Sequence, residues 1–554
     1  MTTSSGTHSR FLSESTIRII QFLVAVIAIG LIFWQLQFST PAICCGDFDG
    51  YYHVAWAREL WASMKSRSFP PAFPWLPLTT LNAKGYVDHH LLFHIIQIPF
   101  VASSNPRLGA KIASALFGGL AVLSCYWLVL RYRIRYALVW LVALLACSAP
   151  FLFRMNMTKA PPFAIIYLII AIHLFFQRKY WLLFPLALIF TWTYDLFVLL
   201  IVATVFWVIA VAINEKTFEW RPLVLVLAGC AAGLIINPYF PHNFQLLYEH
   251  MKIKLTASDF DTKVGFEWYP YDSWEFLGNS AVACIAMFVG YIAFEPSERR
   301  RARYPIFFLL FSTALMIMTA RWKRIAEYWP PFAVLFAAFS LQAWLVGVRS
   351  YSYLTRLPAD VLEELRPFLD REPIELPQQE TDWRDWREWV KTAVVSAVAL
   401  VLSSVLFFNL RSVMKEIGES APHDHYRAGA EWLRANVPPG QIVFNADWDD
   451  FPRLFYYDSS HHYVSGLDPN YLYDKNPDLS RLYDRITLGN VEDPGPLIRD
   501  RFGARYVFSD NTHHDFFEHA RLSGWFDIVY EDAQCTIMHI RDEKIVDEGL
   551  GEPE

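Results

Sequence analysis

The chain has few charged residues: Asp, Glu, Lys and Arg make up 18% of its 554 residues, while hydrophobic residues make up 54%. So little charge is unusual for a water-soluble enzyme and typical of a membrane protein. A basic excess is also missing, because the formal net charge is −6, so nothing indicates a nucleic-acid partner. The seven cysteines are scattered, and Cys44 and Cys45 are adjacent, which argues against a disulfide framework.

The sequence also lacks the features of a cleavable signal peptide. Its first apolar run, Ile17 to Phe38, is too long for a signal-peptide core and has no convincing cleavage site. We interpret it as a retained membrane helix, since a span needs about 20 apolar residues and fewer when it packs on neighbours. The apolar runs predict eleven spans in all, at 16–38, 107–130, 136–153, 160–177, 180–193, 194–213, 222–237, 277–294, 304–320, 327–347 and 391–411.

Two details decide this span count. The pair 180–193 and 194–213 depends on a break at "TWTYDL" in one continuous apolar stretch. The segment His89–Ser103 is apolar but short and holds three histidines, which predicts a helix lying along the membrane interface. With the N terminus cytoplasmic, the basic groups then fall on the cytoplasmic side, as the positive-inside rule requires. These groups are Arg131–Arg135, Gln177–Lys179 and Ser297–Arg303.

The same topology predicts the domain organisation. The outer segments are Thr40–Asn105, Arg154–Lys159, Asn237–Phe276 and the chain after Asn409, and residues 348–390 form a charged cytoplasmic loop. After residue 411 the pattern alternates helices with short strands such as "QIVFNA", "ARYVFSD", "FDIVYED" and "CTIMHIR". We therefore expect a polytopic α-helical membrane domain, 1–411, and an extracytoplasmic α/β domain, 412–554. The protein would be integral to a bacterial or archaeal plasma membrane.

Acidic and aromatic residues follow the first predicted span in "GDFDGYYH", residues 46–53. Asp47 and Asp49 offer the hard oxygen ligands that Mg²⁺ and Mn²⁺ prefer, or a base that acts on an acceptor. Downstream in the same outer segment, "VDHH" adds Asp88 and His89 as candidate ligands. The alternative is that these are solvated loop acids and the start of an interfacial helix with Asp88 as its N-cap.

Two other outer segments place charge among aromatic residues. Glu267 lies in "VGFEWYP", and Arg321, Lys323 and Arg324 lie in "TARWKRIAEYW", which starts at Thr319. Basic residues are unexpected on the outer side, so this cluster indicates a site for a phosphorylated substrate, to which Arg offers bidentate contacts. The alternative is a corner that contacts lipid headgroups or forms salt bridges.

A third acidic stretch, "FNADWDDF", follows a predicted strand in the C-terminal region. It places Trp448, Asp449 and Asp450 at a strand-to-helix turn. We expect Asp449 or Asp450 to cap the helix that follows.

Together these features resemble the catalytic subunit of oligosaccharyltransferase, a member of the GT-C class of membrane glycosyltransferases. The similarity lies in the layout and in "GDFDGYYH", the aromatic loop around Glu267, and "ARWKRIAEYW" leading into a span. The resemblance implies transfer of a sugar or glycan from a polyprenyl phosphate or diphosphate carrier to an acceptor at the outer membrane face, with Mn²⁺ or Mg²⁺. We expect a single displacement that inverts the anomeric carbon, and the expected partners are the polyprenyl-linked donor, its acceptor and membrane lipids.

The resemblance also implies roles for particular residues. Asp49 is similar to the acid that binds metal and orients the acceptor, and Glu267 to the acid of the large external loop. These two are the implied catalytic residues, and either Asp49 or Glu267 would polarise the acceptor nucleophile. Arg324, or Arg321 beside it, is similar to the arginine that meets the carrier phosphate. The implied metal ligands are Asp47, Asp49, Asp88 and His89, and the implied acceptor-binding residues are Trp448, Asp449 and Asp450, because "ADWDDF" stands where the family has W-W-D-Y-G.

The sequence departs from the family pattern at two places. The second outer loop, "RMNMTKAPPF", has no carboxylate where the family has its second acidic motif, so Asp88 and His89 are the candidates to replace it. Asp447 replaces the first Trp of the W-W-D-Y-G signature and Phe451 replaces its Gly. The acceptor therefore stays open between protein, lipid and polysaccharide.

Two other classes of function also stay open. A transporter or channel is favoured by ionisable residues within spans, such as Asp195 at the interrupted helix. A non-enzymatic assembly or sensor protein would use the outer domain as a binding module. Uptake of a solute into vesicles would favour the first, and metal-independent binding alone, with no reaction, would favour the second.

Overall fold

A computed structural model describes residues 13–43, 48–248, 265–294, 303–354 and 388–545. The part before residue 419 is helical. Its helices are α1 Glu14–Phe38, α2 Asp49–Ser66, α3 Leu91–Val101, α4 Pro106–Arg131, α5 Ala137–Ala146, α6 Ala149–Met155, α7 Pro161–Phe176, α8 Leu183–Thr193, α9 Val198–Glu215, α10 Arg221–Ile235, α11 Ser273–Asn279, α12 Ala281–Ala293, α13 Arg303–Arg321, α14 Trp329–Leu354 and α15 Glu388–Gly418.

Each of the eleven predicted spans is helical in the structure. Over the described residues, however, only five helices are both long and apolar enough to cross a membrane, or up to seven if each bent pair counts as one span. The bent pairs are α5 with α6, at 82°, and α11 with α12, at 85°. At the first bend, Ser148 caps α6 by accepting from the Phe151 N–H, and Pro150 follows in the first turn. Apolar helices are thus confirmed where spans were predicted, while the count of eleven crossings stays a prediction.

The break predicted at "TWTYDL" is present. Helix α8 ends at Thr193, and the 3₁₀ turn Asp195–Phe197 leads into α9. The predicted interfacial helix corresponds to α3, but its histidine His94 is fully buried instead of facing lipid headgroups.

Segments predicted to be cytoplasmic meet at one end of the helical part. Arg178 and Arg303 both pair with Glu215, and Tyr180 donates to Glu219 at 2.9 Å. At the other end, the ammonium of Lys111 on α4 donates to the Gln37 and Thr40 carbonyls at the end of α1, at 2.5 and 2.7 Å. A buried cation at a helix C terminus meets both the free carbonyls and the negative end of the helix dipole. This contact fixes where the chain leaves α1 toward Asp49.

The C-terminal part is built on a five-stranded sheet in the order β2-β1-β3-β5-β4. Strand β1 pairs parallel with β2 and β3, whereas β5 pairs antiparallel with β3 and β4. The strands are β1 Ile442–Asn445, β2 His462–Tyr463, β3 Ala504–Asp510, β4 Phe526–Glu531 and β5 Cys535–Ile540, and the helices are α16 Arg427–Asn436, α17 Phe451–Tyr457, α18 Asn470–Lys475, α19 Pro477–Thr487, α20 Pro494–Phe502 and α21 His514–Leu522. The four predicted strands are confirmed; β2 was not predicted.

The predicted boundary at 411 falls inside α15, so the α/β part begins after Gly418. This part shares a hydrophobic core with the first outer segment. The rings of Trp75 and Phe455 lie 4.7 Å apart, and the Trp75 indole donates to the Ser459 carbonyl at 2.7 Å. Helix α17 also packs on α2 through Phe455 and Tyr52. The helix that carries Asp49 is therefore held between the membrane helices and the α/β part.

Helices α3 and α4 approach closely at Gly109. A Cβ there would lie 1.8 Å from the Phe100 carbonyl oxygen, whereas a Cβ at Gly119 on the same helix would lie 3.5 Å from its nearest neighbour, Ile29. We expect Gly109→Ala to lower the free energy of unfolding by about 1–3 kcal/mol through overpacking. Gly119→Ala is the matched control: it adds only an ordinary contact and should be stabilising by about 0.4–1 kcal/mol, as expected for Gly→Ala inside a helix. Thermal unfolding in detergent measures both, and equal melting temperatures for the two variants would contradict the close approach.

Candidate active site

A cavity of about 610 Å³ lies between the helical part and the α/β part. All four segments predicted to lie outside the membrane contribute to its wall. Its charged and histidine lining comprises Asp49, His53, His89, His90, Arg154, Lys159, Asp195, Glu267, Glu275, Lys323, Arg324, Glu416 and Asp468. The ring of Trp448 lines it from the α/β side.

Asp49 reaches this cavity from the start of α2. It stands in the first turn of the helix, where the positive end of the helix dipole favours a carboxylate. One of its oxygens, Oδ2, lies 2.8 Å from the ammonium nitrogen of Lys159. The Asp49 side chain is 28% exposed and the Lys159 side chain 11%, so this ion pair is partly withdrawn from solvent.

Glu267 lies at the centre of a second group of charges. One carboxylate oxygen contacts a guanidinium nitrogen of Arg324, and the other lies 2.5 Å from a guanidinium nitrogen of Arg154. Arg154 also donates to Glu327, which is fully buried. Two carboxylates and two guanidinium groups therefore alternate in this network, which we call the Glu267 network.

The surroundings of Glu267 and Arg324 follow from this pairing. Burial by itself would raise the pKa of the Glu267 carboxyl, but the positive charges of Arg324, Arg154 and Lys159 hold that pKa well below its ordinary value. The guanidinium of Arg324 also donates to the Tyr194 hydroxyl at 3.2 Å and lies over the Trp268 ring at 5.2 Å. Both side chains are thereby fixed as a charged pair in the cavity wall.

Only one of the two candidate phosphate-binding arginines lines the cavity. Arg324 is in the wall, whereas Arg321 is exposed at the end of α13 and lies over the Trp322 ring at 5.8 Å. The structure brings Lys323 to the wall as well, paired with Glu275 at 2.8 Å.

Asp88 lies behind the cavity wall and is 2% exposed. Its carboxylate accepts from the Trp56 indole at 2.8 Å, from His94 Nδ1 at 2.9 Å and from the His90 backbone N–H at 3.0 Å. The other ring nitrogen of His94 lies 2.7 Å from Nδ1 of His53. Asp88 thus orients a buried pair of histidines, and the second of them, His53, lines the cavity.

The described residues do not fit the implied divalent cation. Asp88 is enclosed by three donors, Asp49 faces an ammonium group, and His89 lines the cavity without joining them in a ligand set. Within the described ranges, no group of three or more His, Cys, Asp or Glu side chains is close enough to hold a metal ion. Asp47 lies outside the described residues. The prediction that Asp88 replaces the missing acidic motif is therefore not supported by its position, and we assign no step to a metal.

Of the three candidate acceptor residues, only Trp448 lines the cavity. Its ring packs edge-to-face on Phe48 at 5.9 Å. Asp449 and Asp450 lie behind it, where burial and then the neighbouring carboxylates raise the pKa of Asp449 to about 7 and that of Asp450 well above its usual range. We expected Asp449 or Asp450 to cap the following helix, but neither side chain does so. Instead, the Asp447 carboxylate accepts from the Asp449 N–H.

Sequence reasoning missed two of the cations in the wall. Arg154 and Lys159 are the basic residues of the second outer loop, which was searched only for carboxylates. The argument that singled out Arg324, a positive charge on the side where the positive-inside rule does not expect it, applies to them equally. Asp195, proposed as a transporter residue, instead lines the same cavity as Arg324.

Neither the family profiles nor the curated protein sequences compared with this chain gave a match. Solved structures did. The apo oligosaccharyltransferase of Archaeoglobus fulgidus is similar at a TM-score of 0.59 and 11% identity, over 96% of this chain and 75% of that one. ArnT from Cupriavidus metallidurans bound to undecaprenyl phosphate is similar at a TM-score of 0.52 and 13% identity, over 94% of this chain and 98% of that one.

The arabinofuranosyltransferase AftD from Mycobacteria is also similar, at a TM-score of 0.51 and 14% identity, over 96% of this chain and 40% of that one. All three neighbours are GT-C glycosyltransferases. At such low identity the likeness is one of fold, and the GT-C resemblance is confirmed at that level.

The Glu267 network predicts a pH-dependent stability. The pKa of Glu267 is lowered from its ordinary value of 4.5, so its stabilising effect is fully present above about pH 4.5 and is lost as the pH falls below that value. We expect Glu267→Gln to reduce the free energy of unfolding by about 1–3 kcal/mol at pH 7, less than a fully buried pair would lose. The difference from wild type should shrink as the pH is lowered toward about 3.

Thermal unfolding in detergent across this pH range tests the prediction. Glu275→Gln is a matched control, because it breaks an ion pair whose acid is 38% exposed and should cost less than about 1 kcal/mol. A stability difference for Glu267→Gln that stays constant with pH would contradict the assignment.

Proposed function

We propose that this chain is a glycosyltransferase that moves a sugar or glycan from a polyprenyl phosphate or diphosphate carrier to an acceptor at the outer face of the membrane. One observation carries the proposal: the acid Asp49 and the cations Arg154, Lys159, Lys323 and Arg324 line a single cavity at one end of the apolar helices. A polyprenyl carrier needs a cationic site for its phosphate beside apolar surface, and apolar side chains such as Phe153 and Met157 line the same cavity as these cations.

The structural neighbours support this choice of chemistry. ArnT has the same overall fold and is described in complex with undecaprenyl phosphate. The oligosaccharyltransferase of Archaeoglobus fulgidus, also of this fold, has been captured with a tethered acceptor peptide that contains an NVT sequon. Donor carriers of the polyprenyl type are therefore the first class to test, whereas the acceptor class stays open.

In the mechanism that we propose, charge neutralisation makes the phosphate a good leaving group. The bond that breaks joins the anomeric carbon to a phosphate oxygen, and Arg324 with its neighbouring cations offsets the negative charge that develops there. Glu267 acts as a positioning residue, because it holds Arg324 and Arg154 together at the wall. Asp49 accepts or polarises the proton of the acceptor nucleophile as it attacks from the opposite side, which inverts the anomeric carbon.

The acceptor is expected to approach from the α/β side of the cavity. Trp448 and Phe48 present aromatic surfaces there, and Asp449 and Asp450 lie in the same turn as Trp448. This arrangement suits a sugar or a peptide side chain, so protein, lipid and polysaccharide acceptors all need to be tested. The protein would be integral to the membrane, with its N terminus cytoplasmic and its α/β part outside.

The proposed reaction is tested by release of the carrier. Full-length protein in liposomes is given undecaprenyl-phosphate- and dolichyl-phosphate-linked sugars with a membrane extract as acceptor source, and free polyprenyl phosphate is measured by mass spectrometry. Asp49→Asn should lower the rate by about 100-fold or more, as expected when a catalytic base is lost. Asp478→Asn removes an exposed acid that does not line the cavity and should leave the rate unchanged. Solute uptake without carrier release would favour a transporter and contradict the proposal.

Donor binding separates the two candidate arginines. Arg324→Lys keeps the charge but loses the forked geometry, and we expect it to weaken undecaprenyl phosphate binding by about tenfold. Arg321→Lys is the matched control, since Arg321 is exposed outside the cavity. This variant should bind undecaprenyl phosphate with the affinity of wild type. Microscale thermophoresis in detergent measures both. A larger loss for Arg321→Lys than for Arg324→Lys would show that the phosphate binds elsewhere.

A further inference from the structure

The second outer loop carries a cation where the resemblance calls for a metal-binding acid. Its sequence, "RMNMTKAPPF", contains Lys159 and lacks Asp and Glu. The structure brings the Lys159 ammonium to Asp49, at 2.8 Å from Oδ2. Asp49 is one of the acids that the resemblance assigns to metal binding, so the loop supplies a positive charge directly to that acid.

The same ammonium group also acts on Glu267. Lys159 is one of the positive charges that lower the pKa of the Glu267 carboxyl, and both residues line the cavity. Lys159 therefore pairs with the proposed base, Asp49 on α2, and also acts electrostatically on the positioning residue Glu267 in the third outer segment. This is the position from which one cation can interact with both carboxylates.

A divalent cation in the same position would be opposed by this arrangement. An ammonium group and a dication that share one carboxylate repel each other strongly in a partly desolvated site, because like charges a few ångströms apart are poorly screened there. The lysine is only 11% exposed, so a metal ion that displaced it from Asp49 would cost a largely desolvated ammonium group its carboxylate partner there. The cavity wall offers Lys159, Arg154 and Arg324 to an incoming phosphate without a metal.

We infer that Lys159 takes the place of a divalent metal ion at this site, so that a polyprenyl phosphate binds without one. The inference rests on the proposed function for the identity of the ligand, but the part that concerns the metal does not depend on it. Lys159 holds the Asp49 carboxylate so that it faces the cavity. Its positive charge adds to those of Arg154 and Arg324, which offset the negative charge of the phosphate.

The test uses full-length protein in detergent with two probes, Mn²⁺ and undecaprenyl phosphate. Wild type should bind undecaprenyl phosphate with the same affinity in EDTA and in Mn²⁺. Lys159→Met should weaken that binding by about tenfold or more, as expected for loss of a charge-assisted contact. Lys159→Arg keeps the charge and should bind within about threefold of wild type, which also shows that the site folds. Lys84→Met removes an exposed lysine outside the cavity and should bind as wild type does.

Manganese binding is measured separately by electron paramagnetic resonance titration, which needs no donor and no acceptor. We expect no stoichiometric Mn²⁺ site that depends on Asp49. A one-to-one Mn²⁺ site that Asp49→Ala abolishes would overturn the inference, as would lipid binding that EDTA removes and Mn²⁺ restores. If wild type binds no undecaprenyl phosphate under either condition, the proposed function fails, and the manganese titration still decides whether Lys159 excludes a metal.

Discussion

The carboxylate of Glu267 between Arg154 and Arg324 is the contact on which the cavity depends. The two arginines come from different turns, one at the end of α6 and one between α13 and α14, and Glu267 comes from a third. Without a shared acid, two guanidinium groups at the ends of apolar helices would repel each other. Glu327, fully buried beneath them, adds the second negative charge. The alternating charges thus hold three turns that are distant in sequence together as one cavity wall.

The opposite wall is built from aromatic packing instead of charge. Helix α2, which starts at Asp49, buries Tyr52 and Trp56 against the rest of the first outer segment, where Phe73 stacks on Tyr86 at 4.3 Å. Helix α17 of the α/β part closes this cluster through Phe451 and Phe455. Large rings give much buried area for each ordered side chain, so the start of α2 is held firmly. The position of the Asp49 side chain at the start of α2 therefore depends on packing against α17 of the α/β part, which is distant in sequence.

Much of the fold was predictable because it depends on local pattern. Long apolar runs gave the membrane helices, and alternating residues gave β1, β3, β4 and β5. Of the residues that line the cavity, sequence reasoning singled out those whose type carried the signal, such as Asp49, Glu267, Arg324 and Trp448. Positions fixed by packing were not predictable. The run "VDHH" does not reveal that Asp88 turns inward to His94 while His89 faces the cavity, and Arg154 meets Glu267 across 113 residues of chain.

The pairing of acids with cations also bears on which ligands the cavity can accept. Arg324, Arg154 and Lys159 each face a carboxylate, so a neutral ligand gains little by displacing one. A phosphodiester keeps one full negative charge and two non-bridging oxygens, and a diphosphate keeps two charges, so charge-assisted bonds to either group can replace those that are lost. The acids then keep the cations charged and oriented until such a group arrives. Selectivity for a phosphorylated carrier would thus arise from competition between the ligand and Glu267 and Asp49, because only an anion of comparable strength compensates for the pairs it disturbs.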